Sequence, residues 1–178
     1  MRGADYQMDG QVEEGEQLDM ITVYVDADGC PVKQEVYRVA GRYGLKVVLV
    51  ANAPMSAPRE EWIELVVVKG KFDAADDWIA AHATSADAVV TADVPLAARC
   101  VATGARVLTP TGRVFTEDSI SDAVATRDLL THLRGAGIMT GGPAPFSKTD
   151  RSRFLQQLDQ IAQSLLAHER EISAENTP

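Results

Sequence analysis

Residues 23–31, VYVDADGCP, set the architecture of this chain, because an apolar strand runs directly into two aspartates, a glycine and a proline. Side chains two residues apart point to the same side of an extended chain, so Asp26 and Asp28 are predicted to converge where the strand ends. Two carboxylates about 4 Å apart repel each other by about 4 kcal/mol at an effective dielectric constant of ~20. A cation between them relieves that repulsion. The alternative interpretation is a turn in which Asp28 and Gly29 are only turn residues.

Apolar strands and amphipathic helices alternate on both sides of this stretch. The predicted strands are 21–26, 45–50, 62–68, 88–93 and 105–108. The predicted helices begin at Pro31, after Asp73 as N-cap and at Pro95, and two more span about 119–134 and 150–168. This alternation predicts a three-layer α/β/α sandwich with a parallel sheet of about five strands and helices on both faces.

Aspartates recur at a second strand end and at the start of one helix. The fourth strand ends in Asp93, followed by a helix-opening proline, as in the first motif. If the strand order is 3-2-1-4-5, the first and fourth strands are neighbours at the switch point of the sheet, and their aspartates would share one crevice. Asp73, with Asp76 or Asp77 one helical turn later, would approach the same edge. Acids in the first turn of a helix are equally explained by the helix dipole.

These acids form a candidate site for Mg²⁺ or Mn²⁺, because both ions prefer oxygen ligands and keep positions open for water. A metal held there can activate water and stabilise the oxyanions of a phosphodiester. The predicted metal ligands are Asp26, Asp28, Asp73, Asp76 and Asp93, and the candidate catalytic residues are Asp26, Asp28, Asp73 and Asp93.

A second set of residues is predicted to contact substrate around the acidic crevice. Basic side chains would line a rim for a nucleic-acid backbone, and Thr91 is predicted to hold Asp93 by a hydrogen bond. The glycines of segment 140–143 would present backbone N–H groups to phosphate, unless that segment is only a stiff connector. Phe72 and Phe146 are candidates for base stacking, although either is more often part of a core. The predicted substrate-binding residues are Asn52, Lys71, Thr91, Arg113, Gly141 and Gly142.

Length and composition predict one domain with an adequate core, since the chain has 178 residues and is 46% hydrophobic. We interpret residues 1–19 as a disordered acidic tail, 20–168 as the domain and 169–178 as a flexible C-terminus. No apolar run approaches the ~20 residues that span a bilayer, and no signal peptide is recognisable. The two cysteines are too few for a disulfide framework, so a reducing, cytoplasmic setting is expected.

The net charge of −9 does not exclude a nucleic-acid partner, because the charge is unevenly distributed. Residues 1–19 alone hold six acidic side chains against one arginine. If several acids of the remaining chain line one site, the rest of its surface is mildly basic, which permits nucleic-acid binding. RNA is therefore retained as the expected partner, with no membrane partner and no predicted oligomeric state.

Four motifs in this order resemble the YaiI/YqxD family, an uncharacterised bacterial group also called UPF0178 or DUF188. The motifs are VDADGCP at 25–31, GKFDAAD at 70–76, TADVPLA at 91–97 and TGGP at 140–143, within a likeness that covers about residues 21–166. The family is similar to the PIN-like nucleases, which implies a PIN-like fold and a metal-dependent ribonuclease with acids at these positions. In the related NYN nucleases the fourth strand ends in Asp-x-Asp, whereas this chain has Pro95 at the second position, so the resemblance implies one ligand fewer.

Two other functions remain open at this stage. Residues 26–29, DADG, also resemble the nucleophile motif of haloacid-dehalogenase-type phosphatases, in which the first aspartate is phosphorylated. However, Cys30 follows the glycine in place of threonine, and the acidic pair Asp76–Asp77 precedes Thr91 instead of following it. A non-enzymatic PIN-like module that binds nucleic acid or protein is the other alternative, although a dead site gains nothing from keeping repelling carboxylates.

Overall fold

Strands and helices alternate along the part of the chain that the computed structural model describes, residues 20–71, 73–138, 141–142 and 144–175. The predicted tail at 1–19 and the stacking candidate Phe72 lie outside these residues. The strands are β1 (Thr22–Asp26), β2 (Lys46–Ala51), β3 (Ile63–Val67), β4 (Ala88–Val90), β5 (Arg106–Leu108) and β6 (Val114–Phe115). The helices are α1 (Lys33–Tyr43), α2 (Ala74–His82), α3 (Val94–Ala102), α4 (Glu117–Gly135) and α5 (Lys148–Glu175).

The six described strands form one sheet in the order β3-β2-β1-β4-β5-β6. β1 lies in the middle and pairs in parallel with both β2 and β4, so the five parallel strands have the order 3-2-1-4-5 on which the shared crevice depends. The sixth strand was not predicted: it pairs antiparallel with β5, Val107 opposite Phe115, across the turn that follows β5. With two residues, β6 is too short to show a periodic pattern in sequence.

Alternate residues of the central strands feed two separate layers of core, which confirms the three-layer α/β/α sandwich. Val47 and Leu49 face a cluster that includes residues of α1 and α5, with Phe154 fully buried in it. Val48 and Val50 face the opposite cluster, which α2, α3 and α4 complete. Near-continuous apolar strands are the pattern expected when both faces of a parallel sheet are covered.

α1 begins later and α5 ends later than predicted, whereas the end of α1 agrees with prediction. Pro31 does not open α1, because residues 31–32 still belong to the turn that leaves the sheet and Val32 occupies the N-cap position. α5 continues past the predicted end at 168 to Glu175, through a stretch of good helix formers. The predicted stop at Gly44 is confirmed, with the left-handed φ of 68° that glycine adopts at little cost. None of the described helices is long and apolar enough to cross a membrane.

The turn between β5 and β6 presses against α5 at Gly112. Gly112 has a φ of 82°, and a Cβ placed there would lie 2.7 Å from both Arg153 Cγ and the Phe154 backbone nitrogen. Any side chain at this position would therefore push α5 off the sheet. This close approach brings the start of α5 next to the carboxyl edge of the sheet, where the candidate site lies.

Candidate functional site

Asp26 and Thr91 join the ends of the two central strands. Thr91 is buried, and its hydroxyl donates to Asp26 Oδ2 at 2.9 Å while accepting from the backbone nitrogen of Asp93 at 3.0 Å. Burial raises the pKa of Asp26, the charges of Asp28 and Asp93 add to that rise, and the Thr91 hydrogen bond opposes it. Thr91 therefore orients Asp26 and the start of the next loop. Its hydroxyl accepts from the backbone of Asp93, which is the hydrogen bond predicted between these two residues.

Asn52 holds Asp28 and ties it to α2. Both the backbone nitrogen and Nδ2 of Asn52 donate to Asp28 Oδ2, at 2.8 and 2.9 Å. The side-chain oxygen of Asn52, Oδ1, in turn accepts from the backbone nitrogen of Ala75 at 3.2 Å. Asn52 was predicted to contact substrate, but in the structure both ends of its amide connect three parts of the site.

Asp93 and Asp76 approach the same edge from two helices. Asp93 is the N-cap of α3, and its Oδ1 accepts from the backbone nitrogen of Leu96 at 2.8 Å. Burial raises the pKa of Asp76 to about 6, and the charges of Asp26, Asp93 and Asp73 contribute to that rise. Carboxylates that repel one another in this way are typical of functional sites. A carboxylate with a pKa near neutrality is suited to proton transfer.

The choice between Asp76 and Asp77, which the helical spacing left open, is decided by their partners. Asp77 is turned away from the acidic cluster and bonds to Arg99 at 2.8 Å on the surface. Asp73 is exposed at the N-cap position of α2, and its side chain does not cap the helix. The four carboxylates that interact electrostatically are Asp26, Asp73, Asp76 and Asp93, with Asp28 coupled to Asp26.

We expect Asp76→Asn to stabilise the protein near neutral pH and to flatten its stability profile. The folded-state pKa of Asp76 lies above the ordinary value of 3.8. The folded protein therefore binds this proton more tightly than the unfolded chain does. The associated stability is full below about pH 4 and is lost as the pH rises through about 6. Because the group is partly exposed, the gain at pH 7.5 should be on the order of 1 kcal/mol, a few degrees in Tm.

The measurement is the difference in Tm between wild type and variant from pH 4 to pH 7.5, without added metal. Asp77→Asn is the matched control, because it removes the same charge one residue away at an exposed position. It should not change the slope of the profile. A pH-independent difference for Asp76→Asn would contradict the interpretation.

The remaining predicted residues have no described contact with the aspartates. Arg113 lies over the Phe115 ring, with its Cζ 4.8 Å from the centroid, and faces a groove along α4. Lys71 is exposed in the loop between β3 and α2, three residues before the helix begins. Gly141 and Gly142 are exposed, and a Cβ added to either would meet open space. Their predicted roles toward substrate stay predictions.

A cavity of about 330 Å³ opens directly beside Asp26 and Asp28. Its opposite wall consists of Phe146, which precedes α5, and the turn after β5, Thr109 to Thr111. Sequence reasoning did not assign the threonines of this turn to the site, although they follow a strand end at the same edge of the sheet. The position of Thr109 after β5 was therefore the available signal.

Comparison with known proteins places this arrangement in a family. The model of the uncharacterised YaiI/YqxD family, DUF188, matches residues 24–164, a range that contains all five aspartates and the cavity. The chain belongs to this family. UPF0178 proteins are 55% identical to it in Brucella ovis, over 142 residues, and in Azorhizobium caulinodans, over 139 residues. These alignments cover 79% and 78% of this chain and 88% and 87% of the relatives. No solved structure matches this YaiI/YqxD chain.

The PIN-like resemblance of the YaiI/YqxD family implies a divalent metal, and the described residues fit one in part. No group of three or more His, Cys, Asp or Glu side chains among them is arranged to hold a metal ion, so the predicted five-ligand set is not assembled as such. Mg²⁺ usually needs only one or two carboxylates, with water at its other positions. The donors beside the cavity suit that ion, because they are carboxylate oxygens, while burial raises the pKa of the Cys30 thiol and disfavours a thiolate ligand.

Proposed function

We propose that this YaiI/YqxD protein is a metal-dependent nuclease that hydrolyses phosphodiester bonds, with RNA as the expected substrate. The observation that carries the proposal is the convergence of Asp26, Asp76 and Asp93 at the carboxyl edge of the sheet, where burial and then the charges of Asp26 and Asp93 raise the pKa of Asp76. Such a cluster is unfavourable on its own and becomes favourable when a cation occupies it.

Mg²⁺ or Mn²⁺ bound by these carboxylates would lower the pKa of a water molecule and neutralise charge on the phosphate. Asp26 and Asp28 are the residues best placed to hold the ion, since hydrogen bonds from Thr91 and Asn52 fix one oxygen of each. Partners of this kind orient metal ligands and commonly change metal affinity 10–100-fold when lost. Asp76, with a pKa of about 6, is suited to accept a proton near neutral pH.

Two observations bear on the alternatives. A module that binds without catalysis has no use for the mutual repulsion of the acids, which is still present here. A phosphatase would use Asp26 as a nucleophile, yet Thr91 already donates a hydrogen bond to one of its oxygens and Asp77 is paired with Arg99 outside the cluster. The nuclease is therefore the function that we propose first.

The proposal is tested by incubating the purified protein with labelled single-stranded RNA in Mn²⁺, in Mg²⁺ and in EDTA. We expect cleavage only with metal, and equal cleavage by the Asp77→Asn control. Hydrolysis of a small phosphomonoester, with a phosphorylated Asp26 that can be trapped, would replace the nuclease by the phosphatase. RNA binding without cleavage in every metal tried would favour the non-enzymatic module.

A further inference from the structure

We propose that the cavity beside Asp26 and Asp28 holds one unpaired nucleobase of the substrate, stacked on the ring of Phe146. The inference rests on the proposed function and names the part of the nucleic acid that this site recognises. The cavity, about 330 Å³, is at the lower end of the range for small-molecule sites, which suits a single nucleoside unit. Its position next to the carboxylates places that base beside the phosphate to be cleaved.

The charge of the cavity wall indicates which part of a nucleotide enters. Asp26 and Asp28 are the charged side chains among the described residues of the wall, and no lysine or arginine lies among them. A phosphate without a cation would be repelled there, whereas a neutral base would not. The remaining wall is apolar or carries hydroxyls, with Pro31, Pro110 and Phe146 offering flat surfaces for a planar ring.

Phe146 is held in place by contacts with its neighbours. The guanidinium of Arg151 lies over its ring, with Cζ 5.3 Å from the centroid. Arg151 is in turn bonded to Glu35, a buried side chain of α1. A ring fixed in this way loses little conformational freedom when a base stacks on it, so the cavity is pre-organised.

The backbone next to Phe146 is fixed as well. Ser147 and Asp150 form a reciprocal cap: the Ser147 nitrogen and hydroxyl donate to Asp150 Oδ2 at 2.9 and 2.7 Å, and the Asp150 nitrogen donates to the Ser147 hydroxyl at 3.1 Å. The first turn of α5 is therefore closed directly after Phe146. The aromatic wall is a rigid part of the domain.

Polar groups for the base edge lie on the turn after β5. The hydroxyls of Thr109 and Thr111 are 2.9 Å apart, and the Thr109 hydroxyl also accepts from the Arg113 backbone nitrogen at 3.0 Å. The exposed Thr111 hydroxyl keeps a lone pair free for a further hydrogen bond. One hydroxyl that can donate or accept provides contact with any base, so the site is expected to select an unpaired base without strong sequence preference.

The test uses an eight-nucleotide single-stranded RNA with one 2-aminopurine, whose fluorescence is quenched on stacking, with Ca²⁺ in place of Mg²⁺. Wild type should bind the single-stranded probe and lower its fluorescence. The same probe in a duplex is already stacked and quenched, so the protein should cause no further change there. Phe146→Leu keeps apolar volume without the aromatic ring and should weaken binding about tenfold. Phe146→Tyr should bind within about twofold of wild type. Because Phe146 also packs against the core, Phe146→Leu should lower Tm by a few degrees at most and stay folded at the assay temperature.

Each outcome separates this inference from the proposed nuclease. Equal binding and quenching by wild type and Phe146→Leu would overturn the base site. The cleavage assay would then still decide the nuclease proposal independently. Loss of binding in Phe146→Leu, with no cleavage by wild type in any metal, would support the base site and overturn the proposed nuclease function. A wild type that binds no RNA would overturn both.

Discussion

Asp26→Asn is expected to lower the rate of RNA cleavage by at least about a hundredfold, since loss of even an outer partner of a metal ligand costs about 10–100-fold. Asparagine keeps the shape of the side chain and an oxygen that accepts from Thr91 Oγ1, which now lies 2.9 Å from Asp26 Oδ2. It removes the charge that would attract the cation. The fold should survive or gain stability, because the repulsion from Asp28 and Asp93 disappears.

The measurement is the initial rate in Mn²⁺, together with the rise in Tm that Mn²⁺ produces in the wild type. Asp26→Asn should lose both. Asp93→Asn should lose cleavage as well, while its amide oxygen still caps α3 through Leu96. Asp77→Asn, the exposed control, should retain both. Cleavage unchanged in Asp26→Asn and Asp93→Asn would identify a contaminating nuclease.

Arg151→Ala is expected to lower the free energy of unfolding by about 2–3 kcal/mol, or Tm by roughly 5–10 °C. Glu35 is 4% exposed, and one of its oxygens, Oε2, has no hydrogen-bond partner among the described residues. Removing Arg151 leaves this buried carboxylate without its charge partner. The effect stays below that of a fully buried pair, because the Arg151 side chain is 43% exposed.

The same helix interface contains a matched control. Arg42 bonds to Asp159 at 2.8 Å between α1 and α5, but its side chain is 58% exposed, so Arg42→Ala should cost no more than about 1 kcal/mol. Adding Glu35→Gln to Arg151→Ala should recover part of the loss, because the uncompensated charge is gone. The free energies of unfolding are measured with urea. Equal, small losses for Arg151→Ala and Arg42→Ala would show that the Glu35–Arg151 pair contributes no more than an exposed ion pair.

The sequence sufficed to predict the parallel strands and which strand ends carry acids, but not the antiparallel strand β6. In an apolar segment that ends in aspartate, such as the one that ends at Asp26, the apolar run identifies the strand. Its last residue then identifies the edge of the sheet at which the acidic side chain lies. Their order was assumed, and the pairing of β1 with β2 and β4 supplies it. Because the carboxyl ends of parallel strands meet, Asp26 and Asp93 could be placed together although they are far apart in the chain.

Features that depend on tertiary contact could not be predicted. Nothing local distinguishes Asp76 from Asp77, because only the packing of α2 on the sheet decides which of them faces the cluster. Asn52 was recognised as part of the site, but its role depends on Asp28 and Ala75, which belong to other elements. Glu35 gave no signal, since a glutamate in the first turn of a helix is ordinarily exposed.

Because Phe146 follows the acidic residues in the chain, the parts of the site are completed at different times during synthesis. A ribosome completes Asp26 to Asp93 well before it reaches Phe146 and α5. Until α5 emerges, one face of the sheet lacks the helix that brings Phe154 to it, and the cavity lacks its aromatic wall. A nascent or truncated chain would therefore carry the carboxylates without the base site. Competence to hold substrate would arise only when translation of the domain is finished.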